Sequence, residues 1–72
     1  MSFQAYLDNV QARTGKSAAA LRTEAIGKGL ADEAGLAPGV KAGQIIAWLK
    51  EDYELGHGHA MSIVAYLKGK RD

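Results

Sequence analysis

The chain has 72 residues, no cysteine, one proline, nine glycines and a formal net charge of +1. That length fits a single domain over residues 1–72, one able to bury only about 60% of the surface its unfolded chain exposes. Disulfide frameworks and cysteine-based zinc sites are excluded, no global basic field draws in nucleic acid, and a hydrophobic fraction of 47% is too high for a disordered chain.

Met1-Ser2-Phe3-Gln4 has neither the basic nor the apolar region of a secretory signal. The near-apolar run Ile45–Leu49 stops at Lys50, far short of the ~20 residues a membrane span needs. The expectation is a soluble, cytoplasmic protein with no membrane contact.

The first predicted helix runs from Ser2 to about Thr14. Phe3, Tyr6, Leu7 and Val10 fall on one stripe. The Ser2 hydroxyl suits an N-cap, and Gly15 suits a left-handed stop. Ser17 offers a second N-cap. Ala18, Leu21 and Ala25 continue a stripe with Ile26 at its edge, and three consecutive alanines favour helix. Gly27 weakens that helix, and Gly29 ends it, with Leu30 folding back on its last turn. Residues 31–39 read as a loop, with at most one helical turn at 31–34, because Gly35, Pro38 and Gly39 punctuate it.

A third helix is predicted from about Lys41 to Tyr53. Its buried face is Ala42, Ile45, Ile46, Leu49 and Tyr53, with Trp48 half exposed beside it. Glu51, Asp52 and Glu54 crowd its C-terminal end, where the helix dipole disfavours acids. Leu55-Gly56-His57-Gly58-His59 reads as a tight turn. A fourth helix follows from about Gly58 to Lys68, with Ala60, Ile63, Val64 and Leu67 as its stripe. No strand-like alternation or repeat stands out. The fold class is therefore all-α: a bundle of four short helices joined by glycine-rich turns.

The Gly56–His59 turn is the most unusual segment. Its glycines let the backbone approach a ligand, and the next helix presents N–H groups to an anion. Lys41 and Lys50 are the candidate cations beside it, and the two imidazoles supply pH sensitivity. A structural reading competes: a glycine cap on each helix, with His57 and His59 exposed. Two histidines with Asp52 or Glu54 fall short of a zinc set, so no metal is expected. No cofactor motif is present, and a His59–Ser62 pair is weak support for catalysis.

Helix, Gly56-His57-Gly58, helix also resembles the helix-hairpin-helix motif of DNA-binding proteins, which implies backbone contacts to phosphate. His57 between the glycines and Ser62 after them depart from that pattern, and Glu51, Asp52 and Glu54 would repel phosphate. Trp48, with Tyr53, Tyr66 and Met61, is the candidate protein interface, for a partner or a homodimer.

Ser2–Val10, Thr14-Gly15-Lys16, Val40–Lys50 and Leu55–Met61 together resemble a bacterial family of short domains of unknown function, family 4287. The blocks Lys-Ala-Gly with Ala-Trp-Leu-Lys, and Gly-His-Gly-His-Ala-Met, carry the resemblance over nearly the whole chain. It implies a small helical domain and carries over no catalytic residues. Ala18-Ala19-Ala20 and the segment 31–37 depart from the pattern. Taken together, the expectation is a non-enzymatic binding or accessory module, with nucleic-acid binding as the alternative.

Overall fold

Ser2 and Ser17 open the first two helices as their sequence positions predict. A computed structural model of the chain describes residues 2–71, and in it each serine hydroxyl accepts a 3.1 Å bond from the N–H three residues on. These caps start α1 (Phe3–Thr14) and α2 (Ala18–Gly27) by satisfying an N–H group that no carbonyl can reach. Gly29 then adopts a left-handed φ of 77°. That geometry lets the Leu30 N–H reach the Ala25 carbonyl and the Gly29 N–H reach Ile26, the paired bonds of a Schellman stop.

The loop expectation for 31–39 is corrected. Ala31–Asp32 (β1) and Gly35–Leu36 (β2) form a two-stranded antiparallel hairpin, with Ala31 opposite Leu36 and Asp32 opposite Gly35. Two-residue strands are too short to show alternation, so periodicity could not reveal them. The Asp32 carboxylate accepts a 2.8 Å bond from the Ala34 N–H and so closes the turn locally. Gly35 is buried at φ 136°, in conformational space closed to other residues. It faces the Leu67 carbonyl at the end of the last helix.

Helix α3 (Ala42–Tyr53) starts beside Lys41, whose N–H is taken by the Gln44 side chain at 2.8 Å. Helix α4 (His57–Leu67) packs against each of the other three helices, most closely α3 and α1. Its predicted stripe of Ala60, Ile63, Val64 and Leu67 is buried. Leu21, Val10, Ile45 and Leu49 fill the space around it and are fully buried. The small Ala60 leaves room for the neighbouring helices to approach. The protein is thus mainly helical, with one minor hairpin. Among the described residues no helix is long and apolar enough to cross a membrane.

Two further expectations need correction. Trp48 is not half exposed: it keeps only 8% of its surface, because it pairs edge-to-face with Tyr53 at 6.2 Å and joins the core. The interhelix turn is also shorter than the sequence suggests. It comprises residues 54–56, and His57, Gly58 and His59 already form the first turn of α4. The chain reverses there because Glu54 takes the left-handed conformation, φ 55°, which glycine usually supplies.

Candidate functional site

Helices α2 and α3 scarcely approach each other, although both pack on α4. Side chains bridge the gap instead. The Tyr53 hydroxyl donates a 2.6 Å bond to Glu24, and Lys28 stands 4.0 Å from the Asp52 carboxylate. Lys16 adds a 3.9 Å contact to Glu24. At the Lys28–Asp52 contact a groove of about 670 Å3 lies open to solvent, within the usual size range of ligand sites.

Lys28 and Leu30 form one wall of this groove, and Gln44, Ala47, Trp48, Glu51 and Asp52 of α3 form the other. Spacing explains the α3 wall: positions 44, 47, 48, 51 and 52 recur at three and four residues and share a helix face. Leu30, Ala47 and Trp48 give the groove apolar surface, and its charged groups are one lysine and two acids. The Trp48 indole N–H is covered and has no hydrogen-bond partner among the described residues. Leaving a buried donor unpaired costs about 1–3 kcal/mol. Trp48 lines the groove, but its indole nitrogen is covered rather than open to it.

The second candidate is the Gly-His segment. Gly56 precedes α4 in extended conformation, and the helix begins with no side-chain cap. Neither Gly56 nor Gly58 has positive φ, and a Cβ on either would meet nothing within 4 Å. The close backbone approach expected of these glycines is therefore not used within the chain. His57 is exposed. His59 is half-buried instead, edge-on to Tyr6 at 5.5 Å, with its Nε2 covered and unpartnered. The Ser62 hydroxyl donates to the His59 carbonyl at 2.6 Å, so hydroxyl and imidazole do not pair.

The two candidate lysines lie at opposite ends of α3. Lys50 is in its last turn, on the side of the Gly-His segment, whereas Lys41 caps its start. A twelve-residue helix separates its ends by about 18 Å. Glu51, Asp52 and Glu54 are exposed between Lys50 and the segment, which leaves that end of α3 acidic. Trp48 belongs to the groove. Tyr66 lies elsewhere, beneath the Arg71 guanidinium at 3.8 Å. Both line a smaller hollow of about 320 Å3 that reaches α1 and the start of α2. Met61 is exposed, so it does not join a buried aromatic cluster.

Among the described residues no group of three or more histidine, aspartate and glutamate side chains gathers to hold a metal ion. Sequence reasoning missed Lys28, Leu30 and Gln44 as site residues. Lys28 and Asp52 are far apart in the chain, and only the docking of α2 and α3 onto α4 brings them together.

These features describe a small helical domain with one grooved face. The chain belongs to the family described as a domain of unknown function (DUF4287), whose model matches residues 2–69. No curated protein and no solved structure matches the chain.

Proposed function

We propose that this domain is a non-enzymatic binding module of the bacterial cytoplasm and that its working surface is the α2–α3 groove. The apolar wall that Leu30, Ala47 and Trp48 give the groove carries this reading: an occupant's side chain that covers it removes apolar surface from water. Occupation has a direct readout, because Trp48 is the single tryptophan of the chain. Titration with short acetylated, amidated peptides is expected to shift Trp48 emission, its indole N–H resonance and the amide resonances of Leu30, Gln44 and Ala47. No shift at those positions at millimolar peptide overturns the reading.

The uncapped start of α4 favours a second reading, an anion site at Gly56, His57, Gly58 and His59 with Lys50 nearby. N–H groups in the first turn of a helix have no intrahelical acceptor and lie at the positive end of its dipole. Inorganic phosphate should then shift the His57, Gly58 and His59 amides, and unchanged amides reject the site. A short DNA duplex tests the nucleic-acid alternative. Salt-sensitive binding that is lost in Lys68→Glu/Lys70→Glu supports it, and salt-insensitive binding or none rejects it.

A further inference from the structure

We infer that residues 69–71 form a strap that ties the end of α4 to the start of α1, closes one side of the smaller hollow, and releases as a unit. The strap involves neither the α2–α3 groove nor the Gly-His segment, so it stands apart from both readings above.

Its construction begins where α4 stops. Gly69 turns the chain at φ 108°, a backbone region that glycine enters freely. The turn brings the Gly69 N–H to the Tyr66 carbonyl and the Lys70 N–H to the Ala65 carbonyl, each at 3.0 Å. These bonds end the helix in the manner of a Schellman turn. The next two side chains then reach rings on different helices. The Lys70 ammonium stands 5.3 Å from the centre of the Phe3 ring, in the first residue of α1. The Arg71 guanidinium lies 3.8 Å from the centre of the Tyr66 ring, in the last turn of α4. Nη1 of Arg71 also donates to the Tyr66 carbonyl at 2.9 Å and to the Lys70 carbonyl at 2.8 Å. Arg71 thus holds the segment down on α4, while Lys70 carries it across to α1.

The two contacts depend on each other. An exposed cation–π contact is weak, and ordering a backbone residue costs more than one such contact returns. The carbonyl bonds of Arg71 fix the peptide that aims Lys70, and the Phe3 contact in turn keeps residue 70 in place for Arg71. Loss of either anchor therefore frees both side chains.

Release also changes a cavity. Arg71 and Tyr66 line the hollow of about 320 Å3 together with Gln4 and Asp8 of α1 and Ala19 of α2. Detachment removes Arg71 from that lining and bares the Tyr66 ring face beneath it. The strap is a conformational device: its docked state sets the shape of the hollow.

The test follows the full chain by NMR. Methylene protons held over a ring face move upfield, so the Lys70 and Arg71 side chains each carry a signature of docking. Lys70→Met keeps the apolar stem and removes the cation, and it is expected to abolish the upfield shift of Arg71. Arg71→Ala is expected to abolish that of Lys70, to speed exchange of the Lys70 amide by roughly two- to five-fold, and to shift the Gln4, Asp8 and Ala19 amides. Both substituted positions are exposed, and the amides of the buried Ile63 and Val64 report that the fold is retained. Wild-type side chains without upfield shifts would show that the strap does not dock, and overturn the inference. An Arg71 signature that survives Lys70→Met, or a Lys70 signature that survives Arg71→Ala, makes the contacts independent and equally overturns it. Unmoved Gln4, Asp8 and Ala19 amides in Arg71→Ala overturn the link between the strap and the hollow.

Discussion

Tyr53 of α3 donates a 2.6 Å hydrogen bond to Oε2 of Glu24 in α2, linking two helices that otherwise scarcely meet. Burial pushes the phenol up to about 12 from its ordinary 10.0, and the hydrogen bond to Glu24 and the charges of Glu24 and Asp52 act in the same direction. Ionisation must give up the donated bond and set a phenolate beside carboxylates. The folded state therefore holds this proton to higher pH than the unfolded state does. The resulting stability is fully present below the unfolded value and is lost as pH rises through about 12. Ultraviolet titration should show a phenolate with a midpoint near 12 that disappears in Tyr53→Phe. That variant should also lose about 1 kcal/mol in urea unfolding. A wild-type titration with no phenol above the ordinary range would mean that the Glu24 bond does not persist.

Glu54 is the single non-glycine residue with positive φ among those described, at 55°. A side chain in this region crowds the following carbonyl, at roughly 1–2 kcal/mol. Its charge also faces the negative end of the α3 dipole. Glu54→Gly removes both penalties and adds unfolded-state entropy that offsets part of the gain. The expected net effect is stabilisation by about 0.5–1 kcal/mol, read as a higher denaturation midpoint with unchanged slope. A lower midpoint would show that the Glu54 side chain makes a compensating contact.

What the sequence made legible was local. Ser2, Ser17 and the Gly29–Leu30 stop act within one helical turn, so residue chemistry alone predicts them. The α4 stripe was legible for the same reason, since four apolar positions at helical spacing must face a core. Trp48 was misjudged because its burial depends on Tyr53 and on neighbours remote in sequence. The hairpin escaped because the turn made by Asp32 and Gly35 leaves too little strand on either side for a pattern to appear. The His57–His59 segment was ambiguous, since glycine at the start of a helix reads equally well as a turn. The groove was invisible: Leu30 and Gln44 become neighbours through docking on α4, and no local spacing records that.

Gly35 and Gly58 should respond to alanine in opposite ways. At Gly35 the nearest atoms to an added Cβ lie 3.7 Å away, an ordinary contact, so space is available. The backbone is the obstacle, since φ is 136°. Gly35→Ala should therefore cost about 1–3 kcal/mol and loosen the hairpin from the end of α4. At Gly58 the backbone is helical and a Cβ meets open space, so Gly58→Ala should stabilise by up to about 1 kcal/mol. Thermal unfolding of the two variants measures both signs. Destabilisation by Gly58→Ala would mean that the first turn of α4 is not formed in solution as described.

His59 can be separated into its packing and its chemistry. The ring sits edge-on to Tyr6 at 5.5 Å, and its covered Nε2 has no partner. Phenylalanine has nearly the same shape, keeps the edge-to-face contact and removes the unsatisfied nitrogen. His59→Phe should therefore match or exceed the wild type in stability, by up to about 1–3 kcal/mol, the penalty of an unpaired buried polar group. His59 serves the anion site proposed above if its nitrogens are needed there. In that case phosphate titration of the Phe variant should leave the Gly58 amide unmoved while the fold stays intact. Should the variant still respond to phosphate as the wild type does, the backbone N–H groups alone hold the anion and the imidazole is a packing residue. A variant that is markedly less stable would mean that Nε2 is satisfied in solution by a group that reaches it only there, and His59 would then be part of the α1–α4 interface rather than of a site.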